Sequence, residues 1–173
     1  MTSSSSEAHN DGEALHLSDL WEDLGLGDRA LDRLVDGLAD AVVIADATGT
    51  IVLWNRAATT LFGWDAADVI GRSLDVIIPE RLRARHWEGY QRVMETGHTD
   101  YGTRLLEVPA IHRDGHTISI AFTVTLLTQP GKHRPDAIAA VLRDDTTRRQ
   151  ELLSLRKRVA ALGGAQGSSS TPN

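Results

Sequence analysis

The stretch that decides the fold is AVVIADATGTIVLWNRAATTLFGWDAADVIGRSLDVIIP, at residues 41–79. It opens with two short apolar runs, at residues 41–45 and 50–54, which are separated by a tetrapeptide that begins with Asp46 and ends with Gly49. Aspartate and glycine favour tight turns, and short apolar runs on either side of a turn are typical of paired strands. The pattern therefore predicts a β-hairpin shaped by Asp46 and Gly49.

Two short helices are predicted directly after this hairpin. Asn55 follows the second strand, and its side-chain oxygen is well placed to cap a helix that begins at Arg56 and runs to about Phe62. Gly63 is expected to end that helix, because glycine adopts a left-handed conformation at little cost. By the same reasoning, Asp65 is expected to cap a second short helix and Gly71 to end it.

A longer helix is predicted to begin at Pro79, a favourable first helical residue, and to run to about Thr96 with Gly97 as its stop. Successive spacings of four, four and three place four residues on one face of it, namely Leu82, His86, Tyr90 and Val93. We therefore expect His86 to point inward and to be substantially buried.

The second half of the chain predicts three strands. The first covers about residues 103–111, where Pro109 implies an edge position or a bulge because proline cannot donate to a ladder. A turn at residues 112–116 precedes the clearest strand, residues 117–127, in which apolar residues alternate with small polar ones. A loop at residues 129–136 separates it from a last strand at residues 137–143.

The order of these elements and several local motifs resemble a PAS domain. The motifs are the D-x-x-G hairpin, WN-x-AA…LFGW, VIG and IIPE in the first half, and HRDG, TISIAFTVTL and AVLRDDTTRRQ in the second. The resemblance covers roughly residues 36–150. It implies an α+β fold in which short helices cover one face of a five-stranded antiparallel sheet, often with a small molecule between sheet and helices.

The chain is predicted to have five segments: a disordered tail at 1–16, flanking helices at 17–38, a PAS domain at 39–145, an amphipathic signalling or dimerisation helix at 146–162, and a disordered tail at 163–173. Both flanking regions carry apolar residues at helical spacing, namely Leu31, Leu34, Val35 and Leu38, then Leu152, Leu155, Val159 and Leu162. The first set is compatible with a lid over the domain and with a dimerisation helix. The second set follows 3-4-3 spacing, over a run shorter than the roughly three heptads that indicate a coiled coil.

Composition limits the possible functions. The net charge of −6 disfavours general nucleic-acid binding. The chain has no cysteine, which excludes disulfides, thiolate catalysis and the covalent flavin adduct of blue-light PAS relatives. No apolar run is long enough to span a membrane and no secretory signal precedes the domain, so a cytoplasmic protein is expected. No enzyme motif is present, and an effector is expected on another chain.

A more specific resemblance concerns His86. Arg83-Ala84-Arg85-His86, preceded by Ile78-Pro79-Glu80, is similar to the iron-ligand region of haem-binding oxygen-sensor PAS domains. The resemblance implies His86 as the axial ligand of a haem, with Tyr90, Ile118, Ile120 and Phe122 beside the cofactor. Leu106 replaces the distal arginine of those sensors, which implies binding of carbon monoxide or nitric oxide in preference to oxygen.

Two alternatives to haem follow from the same residues. His86 is otherwise structural, with its ring hydrogen-bonded to a backbone carbonyl or a nearby side chain. A non-covalent flavin is the weaker cofactor alternative, with a pocket lined by Trp54, Trp64, Trp87 and Tyr90. The histidines at positions 98, 112, 116 and 133 lack the spacing of two ligands on one helical turn and are interpreted as surface-loop residues.

Taken together, the sequence predicts a sensory or protein-interaction module in signal transduction or transcriptional regulation. The expected partner is a second copy of the chain or a PAS-containing signalling protein, and a small-molecule ligand is possible. Direct contact with nucleic acid or membrane is not expected.

Overall fold

The structure is a computed structural model that describes residues 29–99 and 104–165, with only the backbone for residues 162–165. The predicted N-terminal tail, the first flanking helix and the end of the C-terminal tail lie outside these ranges. Helix α1, Ala30–Gly37, is the second predicted flanking helix. The chain divides into two compact units, one up to Leu34 and one from Val35 onward, and the fold that follows is that of the second unit.

Five antiparallel strands form one sheet in the order β2-β1-β5-β4-β3. Their bounds are Ala41–Asp46 for β1, Ile51–Trp54 for β2, Leu106–Ile111 for β3, Thr117–Leu127 for β4 and Ala137–Asp144 for β5. The predicted α+β fold with a five-stranded sheet is confirmed. Pro109 lies in the edge strand β3, as predicted. Its missing backbone donor is tolerated there, because an edge strand pairs on one side only.

The turn between β1 and β2 has the residues in the roles predicted for them. The Oδ1 atom of Asp46 accepts hydrogen bonds from the backbone N–H groups of Thr48 and Thr50, at 2.8 and 3.0 Å. Gly49 has a φ of 80° and donates its N–H to the carbonyl of Asp46 at 2.9 Å. The aspartate therefore organises the turn, and the glycine supplies its left-handed residue.

Helix α2, Arg56–Phe62, begins and ends as the sequence predicts, with Asn55 as its N-cap and Gly63 in the left-handed conformation at its end. Helix α3 is a single turn, Ala66–Val69. The expected cap by Asp65 is wrong in one respect, because this residue occupies the N-cap position but its side chain makes no capping hydrogen bond. Its carboxylate instead lies 4.0 Å from the guanidinium of Arg113.

Gly71 follows the end of α3 with a φ of 83°. Its N–H donates to the carbonyl of Ile51, and the N–H of Ile51 donates to the carbonyl of Arg72, each at 2.8 Å. The glycine thus ends the helical turn, as predicted, and brings the chain back beside strand β2. A 3₁₀ turn, Leu74–Val76, comes next.

Helix α4 is Glu80–Thr96, so the predicted start at Pro79 is wrong by one residue. Pro79 has a ψ of 132°, which is extended backbone, and it serves as the N-cap while its carbonyl accepts the N–H of Leu82 at 2.8 Å. Gly97 ends the helix with a φ of 65°, as predicted.

Helix α5 is Thr146–Ala165 and continues past the predicted start of the tail at residue 163. The helix includes Gly163 and Gly164. A glycine inside a helix costs only about 1 kcal/mol relative to alanine, so it does not by itself end the helix. Strand β5 likewise extends one residue further than predicted, to Asp144.

The core lies between the sheet and helices α2 and α3. Its fully buried members include Phe62, Ile51 and Val69, and the indole ring of Trp54 lies 5.2 Å from the ring of Phe62. A second, smaller cluster joins Ala45 of β1 to Tyr90 and Met94 of α4. Helix α4 is therefore attached to the sheet mainly through its own aromatic residues.

Candidate sensory site and signalling helix

Three rings stand together on the inner face of α4. The imidazole of His86 lies 4.9 Å from the indole of Trp87 and 5.8 Å from the phenol of Tyr90, and Trp87 and Tyr90 are 5.5 Å apart. Tyr90 is buried, whereas the other two are half-buried. The helical spacing thus brings His86 and Tyr90 together, and it adds Trp87 to the same group.

Polar bonds hold this ring group against the rest of the domain. The hydroxyl of Tyr90 donates to the carbonyls of β1, at 2.6 Å from that of Asp46 and 3.2 Å from that of Ala45. The indole N–H of Trp87 donates to the carboxylate of Asp75 at 2.9 Å. Burial together with the nearby Asp46 carboxylate raises the pKa of Tyr90, so its hydroxyl keeps its proton and remains a donor.

Close approach of the backbone also shapes this region. A Cβ atom at Gly49 would lie 2.2 Å from the indole of Trp87, so the hairpin turn and α4 touch because position 49 lacks a side chain. The D-x-x-G turn therefore serves two purposes, since its glycine permits both the left-handed backbone and the contact with α4.

His86 carries a buried nitrogen that is not satisfied. Its Nδ1 atom has no hydrogen-bond partner among the residues that the structure describes. Burial lowers the pKa of His86 below its usual value of 6.5, although the Asp75 carboxylate opposes this effect. The imidazole is therefore neutral at neutral pH, and the hydrogen bond expected of a purely structural His86 is not found at Nδ1.

The sheet residues predicted beside a cofactor belong to the other core cluster. Ile118 and Ile120 are buried in the cluster with Phe62, and Phe122 is half-buried against it. Leu106, predicted at the distal position, pairs with Phe122 across strands β3 and β4. The structure thus divides the predicted site residues between two neighbouring clusters.

His86 fits the requirement for a haem ligand in its chemistry. A neutral imidazole with an unpartnered nitrogen is the form that ligates iron. The rings that surround it within α4 are apolar or weakly polar, which suits a cofactor shell. In such a site His86 would hold the iron, and Tyr90 and Trp87 would exclude water.

Asn55 does more than the helix cap predicted for it. Its Oδ1 accepts from the N–H of Ala58 and also from the N–H of Val42, each at 2.9 Å. Its Nδ2 donates to the carbonyls of Val35 and Asp40 at 2.9 and 3.0 Å. The side chain is 1% exposed, so one buried amide joins the domain's entry segment, β1 and α2.

The root of helix α5 is bound to the sheet. The N–H of Asp145 donates to the carbonyl of Ser119 at 2.8 Å, and the hydroxyl of Thr146 accepts the N–H of Ser119 at 3.0 Å. Arg148 forms ion pairs with Asp145 and with Glu107 of β3. Helix α5 is therefore connected to both β4 and β3 at its first turn.

Beyond this root, the described side chains of α5 from Thr147 to Ala161 are exposed. They include three residues of the predicted seam, Leu152, Leu155 and Val159, which are 42%, 52% and 68% exposed. Leu162 lies where only the backbone is described. Apolar side chains at 3-4 spacing thus stand in solvent along one helix.

Open clefts lie on the described surface of the second unit, and His86 does not line the two that follow. One, of about 470 Å³, runs between α2 and the ends of β1 and β5 and is bordered by an ion pair between Arg143 and Asp40 at 2.7 Å. This ion pair lowers the pKa of Asp40. The other, of about 390 Å³, lies on the outer sheet face beside the root of α5.

The family comparison agrees with this architecture. Residues 29–153 match the family described as PAS fold. The chain belongs to the PAS family. PAS domains are generally sensory modules of signalling proteins, and this chain is therefore a PAS sensory domain.

Three curated relatives share parts of the sequence. The chain is 35% identical over 130 residues to an uncharacterised protein of Azorhizobium caulinodans, covering 74% of the chain and 18% of that protein. It is 32% identical over 85 residues to the sensor protein FixL of Bradyrhizobium diazoefficiens, covering 43% and 17%. It is 28% identical over 90 residues to the oxygen sensor protein DosP of Escherichia coli, covering 52% and 11%. The chain spans less than a fifth of each relative.

Solved structures share the PAS fold at low identity. A PAS domain from Colwellia psychrerythraea has a TM-score of 0.60 at 20% identity, over 69% of this chain and 97% of that one. An RNA-binding light-oxygen-voltage receptor has a TM-score of 0.64 at 20% identity, over 79% of this chain and 38% of that one.

Among the described residues of the PAS domain, no helix combines the length and hydropathy that a membrane crossing requires.

Proposed function

We propose that this PAS domain transmits its signal through self-association of helix α5 with α5 of a second copy. The observation that carries the proposal is the exposed stripe of Leu152, Leu155 and Val159 on a helix whose root is bound to the sheet. A change in the domain can move the root, and a paired helix can carry that movement onward. We expect the output activity on a partner chain.

The stripe suits a partner of the same kind. Residues spaced by three and four positions form one seam along a helix, and two such seams bury each other in a symmetric pair. Isolated exposed leucines need no explanation, but a continuous apolar stripe usually marks an interface. Leu38, which precedes β1 in the same unit, is 40% exposed and supplies further apolar surface.

The test is sedimentation of the full chain at tens of micromolar, with two matched glutamate variants. Leu155→Glu places a charge in the seam, whereas Ser154→Glu adds the same charge more than 90° away around the helix. We expect dimers for the wild type and for Ser154→Glu, and monomers for Leu155→Glu. A wild-type monomer would contradict self-association and would favour a PAS-containing partner of different sequence.

A second candidate function, haem-based gas sensing, is supported by the unpartnered Nδ1 of His86 in its ring cluster. Haem would supply a gas-binding iron, and the chain would contribute the neutral imidazole of His86 as an axial ligand. Similarity to the sensor FixL and the oxygen sensor DosP agrees with this candidate. For non-covalent flavin, Nε1 of Trp64 is likewise buried without a partner among the described residues, but Trp64 packs with Phe62 and apart from the cluster of Trp87 and Tyr90.

Visible absorption tests the haem candidate. The full chain is expressed with haem supplied, beside His86→Ala and, as a control, the loop variant His133→Ala. A Soret band that is lost only in His86→Ala would support the haem site. A band unchanged by His86→Ala would exclude His86 as the ligand, and no band in any protein would exclude haem.

A cytoplasmic location stays a prediction from the sequence.

A further inference from the structure

The turn between strands β3 and β4 brings three metal-ligating side chains together. His112, Asp114 and His116 each place a donor atom within 4.8 Å of the other two. One carboxylate oxygen of Asp114 lies 3.0 Å from Nδ1 of His112 and 2.5 Å from Nδ1 of His116. The two imidazole rings are stacked, with centroids 4.6 Å apart.

The backbone holds this arrangement in place. The N–H of His112 donates to the carbonyl of His116 at 3.0 Å, and Gly115 turns the chain with a φ of 90°. His112 is packed beneath Gly63, where an added Cβ would lie 2.4 Å from its Nε2 atom. The three side chains of the H-x-D-x-H sequence would lie apart along an extended strand. They come together here because the chain reverses direction.

The contacts at Nδ1 of His112 make opposite demands on that atom. The backbone N–H of Asp114 donates to it at 3.3 Å, which requires a lone pair. The Asp114 carboxylate oxygen, at 3.0 Å, requires a proton on the same nitrogen. One imidazole nitrogen cannot offer both, so one of the two contacts at Nδ1 is not a hydrogen bond, and the nitrogen and the carboxylate oxygen can instead both turn toward a shared cation.

We propose that His112, Asp114 and His116 bind a divalent transition-metal ion of the Zn²⁺ class at the β3–β4 turn. Two imidazoles and one carboxylate are donors that such ions prefer, whereas Mg²⁺ and Ca²⁺ prefer oxygen alone. Tetrahedral ligands at about 2.1 Å from a zinc ion lie roughly 3.4 Å apart. Donor atoms that all lie within 4.8 Å of one another need only small side-chain rotations to meet one ion. Water completes the coordination.

The carboxylate of Asp114 is open to an ion. Its side chain is 61% exposed, and its Oδ1 atom accepts the backbone N–H of His116 at 3.1 Å. Both histidine side chains reach solvent, which gives an ion a path to the site. The metal would link the two sides of the turn, close to the end of α2 where the N–H of Arg113 donates to the carbonyl of Phe62.

The site is tested by calorimetric titration of the tag-free full chain with ZnCl₂ and by absorption with Co²⁺ as a spectroscopic probe. Asp114→Asn keeps an oxygen that can accept the N–H of His116 but removes the charge, and His116→Ala removes one ligand. His133→Ala is the matched control, since His133 is an exposed loop histidine. Thermal unfolding with EDTA present checks that all variants fold.

We expect one Zn²⁺ per chain, at least tenfold weaker binding for Asp114→Asn and His116→Ala, and unchanged binding for His133→Ala. Zn²⁺ should raise the Tm of the wild type and of His133→Ala but not that of the other two variants, because an ion bound only to the folded state stabilises that state. Equal binding by the wild type and His116→Ala, or absence of binding by the wild type, would overturn the proposal.

Discussion

Asn55 and His86 are polar residues at two junctions of the same domain. The first junction joins α2 to β1, the second joins α4 to the sheet, and the two are built differently. At the first, the amide of Asn55 makes four hydrogen bonds with good geometry and leaves no polar capacity unused. At the second, Nδ1 of His86 is buried without a partner among the described residues, next to two aromatic rings. A satisfied buried amide specifies one structure, whereas an unsatisfied nitrogen costs stability and remains available for a ligand.

The largest expected effect is that of Asn55→Ala. A simple helix cap contributes about 1 kcal/mol to the free energy of unfolding. We expect Asn55→Ala to lower it by about 3 kcal/mol, because buried backbone groups of β1, α2 and the entry segment lose their partner. Urea unfolding measures the free-energy change. Thr60→Ala, on the same helix but exposed, is the control and should change stability by less than about 0.5 kcal/mol. A loss of only about 1 kcal/mol for Asn55→Ala would mean that the cap is its main contribution.

Tyr90→Phe tests how the second junction is held. The variant keeps the ring packing but removes the hydroxyl that donates to the carbonyls of Ala45 and Asp46. We expect a loss of about 1 kcal/mol in the free energy of unfolding, because a buried hydroxyl hydrogen bond is removed. An unchanged stability in urea unfolding would indicate that ring packing alone attaches α4 to the sheet.

The smallest effect at neutral pH is expected for His86→Leu, which should stay within about 1 kcal/mol of the wild type because no hydrogen bond at Nδ1 is lost. At lower pH the His86→Leu variant should gain stability relative to the wild type. The folded pKa of His86 lies below the unfolded value of about 6.5, so the unfolded chain binds a proton first and stability falls as pH drops through this range.

Urea unfolding at pH 7.5 and pH 5.5 measures this difference. The decrease in stability should be smaller for His86→Leu than for the wild type, while His133→Ala should behave as the wild type does. Equal decreases for the wild type and His86→Leu would show that the His86 imidazole is protonated without cost in the folded domain.

Local chemistry explains why much of the fold could be predicted. The Asp46–Gly49 turn, the cap at Asn55 and the stop at Gly97 each depend on residues a few positions apart, and the alternation in β4 sets its buried face directly. The predicted site could not be assembled in the same way. Whether a residue of β4, such as Ile120, shares a cluster with His86 depends on the packing of distant elements.

The sequence by itself determined the order of the elements, the Asp46–Gly49 turn, the cap at Asn55 and the apolar seam of α5, because these follow from backbone preferences and side-chain periodicity over short distances. Only the tertiary structure decided that Asn55 bonds to four separate backbone groups, that Nδ1 of His86 is left without a partner, and that His112 and His116 meet on one carboxylate. Each of these depends on which atoms from separate segments arrive at the same place, and on the burial that makes a hydrogen bond or its absence matter.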